Sequence, residues 1–157
     1  MNRVEINCAG IDEPVWRDRL GAFAEAVLAR LEKEDWDLSV LLCDDPTIRD
    51  LNLRYREKDE ATDVLSFELG ETVDDEEIGE RWAAGDLVIS LETLGKNAVY
   101  FGVAEDEELR RLTAHGILHL CGMDHEDNED DRPMLLLQER LLADLSEYRI
   151  MEEPPTK

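Results

Sequence analysis

All three histidines of this 157-residue chain, His115, His119 and His125, fall between positions 115 and 125. Residues four apart on a helix point nearly the same way, with side-chain origins about 6 Å apart. On that spacing His115 and His119 can reach one ion. Gly122 is placed to break the helix, and Asp124 stands beside His125, so the third imidazole can fold back toward the first two. Three neutral nitrogens fill three positions of a tetrahedral ion such as zinc and leave the fourth to water, the arrangement of a reactive site. The plainer reading is a pair of unrelated, individually satisfied imidazoles. The clustering of all three histidines argues against it. Cys121, two residues beyond His119, projects to roughly the opposite side of the helix and is expected in the core.

The stretch HGILH differs from the HExxH of zinc peptidases at one position that matters chemically, because Gly116 stands where a general-base glutamate would be. A metal can still lower the pKa of its water without that carboxylate, so hydrolysis remains open. A bare glycine inside a helix costs about 1 kcal/mol against alanine, which implies a spatial need at position 116: close helix packing, or room for a bulky substrate.

The elements that must hold these residues are written in the apolar periodicity. Val4, Ile6 and Cys8 alternate with polar residues as in a half-buried strand. Asp12 is expected to cap a helix of nearly twenty residues that starts near Pro14, with Trp16, Leu20, Phe23, Val27 and Leu31 on one side. Residues 38–43 read as a second strand. Asp45 reads as the cap, and Pro46 as the first-turn proline, of a short helix carrying Ile48, Leu51 and Tyr55. A third strand is expected over 64–69, a solvated loop or hairpin connection over 70–85, and a fourth strand over 87–89. Ser90 caps a helix that ends at Gly102, the histidine helix runs from about Glu105 to Gly122, and Pro133 opens a last helix with Met134, Leu137, Leu141 and Leu145 on its buried face. The expected fold is α+β: a single domain over 1–150 with a small mixed sheet packed with helices, followed by a flexible tail over 151–157.

The formal charge of −23, from 40 acidic against 17 basic residues, argues against binding through a broadly basic surface. Arg49, Arg54, Arg56 and Lys58 nevertheless fall close together and form a candidate local basic patch. Cys8, Cys43 and Cys121 fit no paired spacing and read as reduced thiols. With no bilayer-length apolar run and no leader-like start, the expectation is a cytoplasmic chain with no membrane association.

Three blocks carry a resemblance. HGILHLCGMDH at 115–125, NLRYREKDEATDVLSF at 52–67 and GDLVIS at 85–90 resemble, in order, the motifs of the YbeY family of rRNA maturation factors, single-strand-specific metallo-endoribonucleases. The resemblance covers nearly the whole chain. It implies one zinc ion per chain on His115, His119 and His125, a catalytic, substrate-facing Arg56, and a fold distantly similar to zinc metallopeptidases. It also implies action on single-stranded or ribosomal RNA in 16S rRNA 3′ end maturation and ribosome quality control, with the small ribosomal subunit or its associated proteins as partners. Two positions depart from the family pattern: Met123 replaces a usual Tyr, and Gln138 stands where an acidic residue is common.

Arginine suits the role given to Arg56, since its rigid fork of donors matches phosphate oxygens. The competing role is a surface ion pair with Glu57, Asp59 or Glu60. Asn52 and Tyr55 are further candidates for RNA contact, with packing against the sheet an equal alternative for Tyr55. Thr62, Asp63 and Ser66 stand at a loop-to-strand junction that can shape the pocket edge, and Thr62 is the one read as a turn residue. Two other functions stay open: a non-catalytic ribosome-associated binding factor with a structural metal, and a metal-dependent peptidase or amidase, which Gly116 disfavours.

Overall fold

The computed structural model describes residues 1–123 and 132–151. Its elements run β1 (Arg3–Ala9), α1 (Arg17–Arg30), β2 (Trp36–Cys43), α2 (Asp45–Arg56), β3 (Val64–Asp75), β4 (Gly79–Ser90), α3 (Leu91–Phe101), α4 (Glu105–Leu120) and α5 (Arg132–Asp144). The sheet order is β1-β2-β4-β3. β1, β2 and β4 are parallel, and β3 joins β4 antiparallel as an edge strand. This is the small mixed α+β sheet expected.

Alternation along the strands feeds two cores, one on each face. Leu38, Val40 and Leu42 of β2 and Leu87 and Ile89 of β4 pack with Leu20, Phe23 and Val27 of α1, Ile117 of α4, and Met134 and Leu141 of α5. The intervening residues Cys43 and Val88, with Leu65 of β3, meet Ile48 of α2 on the other face. The larger core is therefore the platform for α4, and the smaller one is the platform for α2. Burial of many Leu, Ile and Phe side chains at about 1.5–3 kcal/mol each is what fixes α4 over the sheet.

Local readings fail in three places. Asp12 does not cap α1: the helix starts later, behind Trp16, which offers no side-chain cap, and a turn from the Arg17 amide to the Pro14 carbonyl (3.2 Å) precedes it. Asp44 rather than Asp45 caps α2, accepting from the Thr47 amide at 3.1 Å. Asp45 instead takes hydrogen bonds from Ser90 (2.7 Å) and Thr93 and an ion pair from Lys96 (3.0 Å), tying α2 to α3. Burial acts to raise the Asp45 pKa, but those three donors outweigh it and hold the carboxyl at about 2.

The third failure is in the strand bounds. Of the two readings of residues 70–85 the hairpin is the one seen, but its strands run past 64–69 and 87–89: β3 continues to Asp75 and β4 begins at Gly79, with pairs from Glu71↔Ala83 to Asp75↔Gly79. Residues 73–75 and 79–81 extend past the first β2 pair, Trp36↔Trp82, and most of the ribbon's residues are exposed, so it carries no apolar period. Arg81 roots the ribbon, buried and donating to the Asp37 carboxylate (2.9 Å) and the carbonyls of Met1 (2.7 Å) and Trp36 (3.2 Å).

At the other end of the chain, Ile150 is fully buried, and the amides of Ile150 and Met151 donate to the buried Asp106 carboxylate at 2.7 and 2.8 Å. These contacts tie the chain to α4 as far as Met151, and residues 152–157 lie outside the described residues.

Candidate metal centre

α4 forms where its sequence predicts. Four acidic residues occupy its first turn, where the helix dipole favours negative charge. Cys121 ends it, and Gly122 follows with φ +89°, a backbone state that glycine adopts without steric cost. His115 and His119 lie one turn apart, their Nε2 atoms 3.0 Å from each other and their ring centroids 4.6 Å apart. Two nitrogens that each lie ~2.0–2.1 Å from one tetrahedral zinc ion would be about 3.3 Å apart. The observed separation is within a few tenths of an ångström of that, so the pair fits the ion. His125 lies outside the described residues, and among those described no group of three metal-ligating side chains is gathered.

The notch that lets α4 sit so near the sheet is Gly116. A Cβ built there would meet Leu87 Cδ2 of β4 at 2.7 Å and Cδ1 at 3.1 Å. The spatial need inferred from a mid-helix glycine is thus close packing, and position 116 faces the core rather than open space.

Gln138 is the residue whose role the sequence did not reveal. It is buried on α5, and its Oε1 lies 2.9 Å from His115 Nδ1. A carbonyl oxygen can only accept, so His115 donates from Nδ1 and turns an unprotonated Nε2 toward His119. The departure from an acidic residue therefore preserves a polar partner for the imidazole. The available signal was a polar residue four after Met134 and three before Leu141, on a stripe otherwise apolar. Its neighbour Glu139 accepts from Arg111 of α4 at 2.9 Å.

On α4 the residues Glu108, Arg111, His115 and His119 follow one another at intervals of three, four and four, which makes them one polar stripe. Burial pushes the Glu108 carboxyl up, and the Arg111 guanidinium 3.9 Å away partly opposes this. Cys121 packs against the core, and burial raises its pKa, which favours the thiol in the metal-free protein.

Arg56 ends α2 at the open edge of β3. It donates to the Ser66 carbonyl at 2.6 Å and lies over the Phe67 ring at 5.4 Å. Among the described residues it makes no ion pair with Glu57, Asp59 or Glu60; Asp59 is taken by Arg49 at 2.7 Å. Neither imidazole contacts Arg56 among the described residues. The link between them is structural: Ser66 pairs with Leu87, and Leu87 fills the notch at Gly116 beside His115. The basic patch is smaller than its sequence suggests, since Arg54 also pairs with Asp50. Asn52 is buried and donates to the Glu60 carbonyl at 2.9 Å, which ties down the segment after Arg56 and removes Asn52 from any surface contact. Tyr55 stays exposed with its ring edge on Phe67. Asp63 accepts from the Val64 amide (2.8 Å) and from Asn97 (3.1 Å), fixing the strand entrance.

A helix-borne pair of convergent imidazoles packed by a glycine onto a small mixed sheet makes this a small α+β domain with a candidate site for one ion. Within that class the comparisons are specific. The family model described as endoribonuclease YbeY matches residues 5–146, and the chain belongs to that family. Proteins named endoribonuclease YbeY are similar throughout: one from Treponema pallidum is 48% identical over 91% of this chain and 89% of its own length. One from Treponema denticola is 50% identical over 85% and 84%, and one from Aquifex aeolicus 41% over 84% and 85%. A solution structure of a Thermotoga maritima protein shares the fold, with a TM-score of 0.64 at 24% identity over 98% of this chain and 99% of that one.

Proposed function

We propose that this chain is a zinc-dependent endoribonuclease that cleaves single-stranded RNA, with ribosomal RNA, including the 3′ end of 16S rRNA, as its substrate. The observation that carries the reading is the convergence of His115 Nε2 and His119 Nε2 at 3.0 Å, with His115 held from behind by Gln138. His115, His119 and His125 would hold one zinc ion. When bound, such an ion supplies Lewis acidity that polarises a phosphate oxygen or lowers the pKa of water.

The chain's own residues position the substrate. Arg56, on the edge of β3, would exchange its Ser66 carbonyl contact for a phosphate oxygen and steady the charge that builds on the scissile group. Unpaired RNA bends into such an edge more readily than a duplex does. No helix among the described residues is long and apolar enough to cross a membrane, which is consistent with action in the cytoplasm beside the small ribosomal subunit.

Gly116 weighs against the peptidase reading. Its Cβ position is occupied by Leu87, so no side chain at that point of the helix can reach a substrate as a general base. The experiment is metal analysis of purified protein joined to a time course on ribosomal RNA. One zinc per chain and new RNA ends that disappear on chelation are expected. Zinc without cleavage would leave the binding-factor reading in its place.

A further inference from the structure

We infer that Arg111, Glu139 and Gln138 form a chain of positioning residues that fixes which nitrogen of His115 carries its proton. The purpose assigned to it rests on the reading of His115 as a metal ligand, but the effect itself is a property of the metal-free protein.

A neutral imidazole has one proton and two nitrogens, and the partner of one nitrogen decides the role of the other. A carboxylate behind His115 would settle the matter alone, because it can only accept. A carboxamide cannot. Rotated by half a turn, Gln138 would present its NH2 group to His115 Nδ1, and His115 would then carry its proton on Nε2, the nitrogen facing His119. Something must therefore hold the amide in the orientation seen, with Oε1 toward His115 at 2.9 Å.

Glu139 does this. Gln138 Nε2 donates to Glu139 Oε2 at 3.5 Å, so a flipped amide would set its carbonyl oxygen against a carboxylate oxygen. The Glu139 carboxylate is itself aimed by Arg111, whose Nη1 donates to the same Oε2 at 2.9 Å. Arg111 precedes His115 by one turn on α4, and Gln138 and Glu139 are adjacent on α5. The two helices are thus joined by two rungs, of which the charged one orients the neutral one. Gln138 is only 4% exposed, so bulk water does not compete for its amide.

The test uses the full chain with 15N-labelled histidine, stripped of metal and held at about pH 8, where histidine is neutral. Long-range 1H–15N correlations distinguish the two tautomers, and with three histidines in the chain assignment by single substitution is direct. The parent protein should show His115 as the Nδ1–H form. Gln138→Glu should keep that form, and Gln138→Leu should release it to a mixture. Gln138→Leu should also weaken zinc binding, read by competition with a chelator, by about 10–100-fold, the usual scale for losing a group behind a metal-bound imidazole.

Glu139→Gln is the deciding variant, because an exposed glutamate can be changed without threatening the fold. It should loosen the tautomer in the parent background and have no effect in a Gln138→Glu background. An Nε2–H tautomer in the parent, or indifference to Glu139→Gln in both backgrounds, overturns the inference. A pinned Nδ1–H form in a protein that takes up no zinc would support the positioning chain and sink the metal assignment instead.

Discussion

The α4–α5 face and the segment 49–58 use the same kinds of group, cations beside carboxylates and amides, yet the structure treats them differently. Along the α4 stripe Glu108 is buried near Arg111, and Arg111 and His115 meet Glu139 and the buried Gln138 of α5. In segment 49–58 the arginines stand in solvent, and Arg49 and Arg54 spend their charge on Asp59 and Asp50. Exposed ion pairs contribute little to stability and are screened by salt, whereas buried polar groups are costly to leave unmatched. The first region is therefore a precise site, and the second a surface on which Arg49 and Arg54 are matched by carboxylates while Arg56 reaches the Ser66 carbonyl at the strand edge.

The largest difference should come from His119→Ala. Removing one of the two convergent nitrogens is expected to remove most of the zinc and with it RNA cleavage, as read by elemental analysis and a cleavage assay. Full zinc occupancy in that variant would show that the α4 face is not the binding site.

Arg56→Ala should act on the other region and leave zinc content and the unfolding midpoint unchanged while lowering RNA cleavage at least about tenfold. Arg56→Lys should recover part of the loss, because a single ammonium cannot reproduce the two-pronged contact. Parental cleavage by Arg56→Ala would reduce the whole segment to surface.

Gly116→Ala tests how tightly α4 is seated. The added methyl meets fully buried Leu87 at 2.7 Å. Overpacking costs about 1–3 kcal/mol, and better helix propensity returns about 1 kcal/mol. A net loss of about 1 kcal/mol should lower the melting temperature by about 2–4 °C. A rise in melting temperature would mean that Leu87 yields freely.

The smallest effect belongs to Arg49→Ala, which should leave the unfolding midpoint indistinguishable from the parent. For the same reason RNA binding should fall only shallowly between about 0.05 and 1 M KCl, since few phosphates are neutralised and the acidic field that opposes encounter is screened at the same time. A steep loss from the lowest salt upward would show that segment 49–58 is far more basic in solution than its ion pairs allow.

Much of this was legible in the sequence. Intervals of three and four and alternation by two located the strands' cores and all five helices, because those patterns follow directly from which face is buried. His115 and His119 were legible for the same reason: their partnership is local to one helix. What resisted reading depends on contacts between elements. The exposed hairpin has no apolar period because water lies on both sides, and its root at Arg81 is a contact with the chain's first residues. Asp45 was misread as a cap because its partners Ser90, Thr93 and Lys96 lie far along the chain. Gln138 was visible only as a departure, and its role emerged once α5 was seen to lie across α4.

The most direct test of the metal centre is zinc K-edge X-ray absorption on the purified chain. A shell of nitrogen or oxygen at about 2.0–2.1 Å, with imidazole scattering and no sulfur, is the predicted result. A sulfur shell at about 2.3 Å would place zinc on a cysteine such as Cys121 and contradict the account.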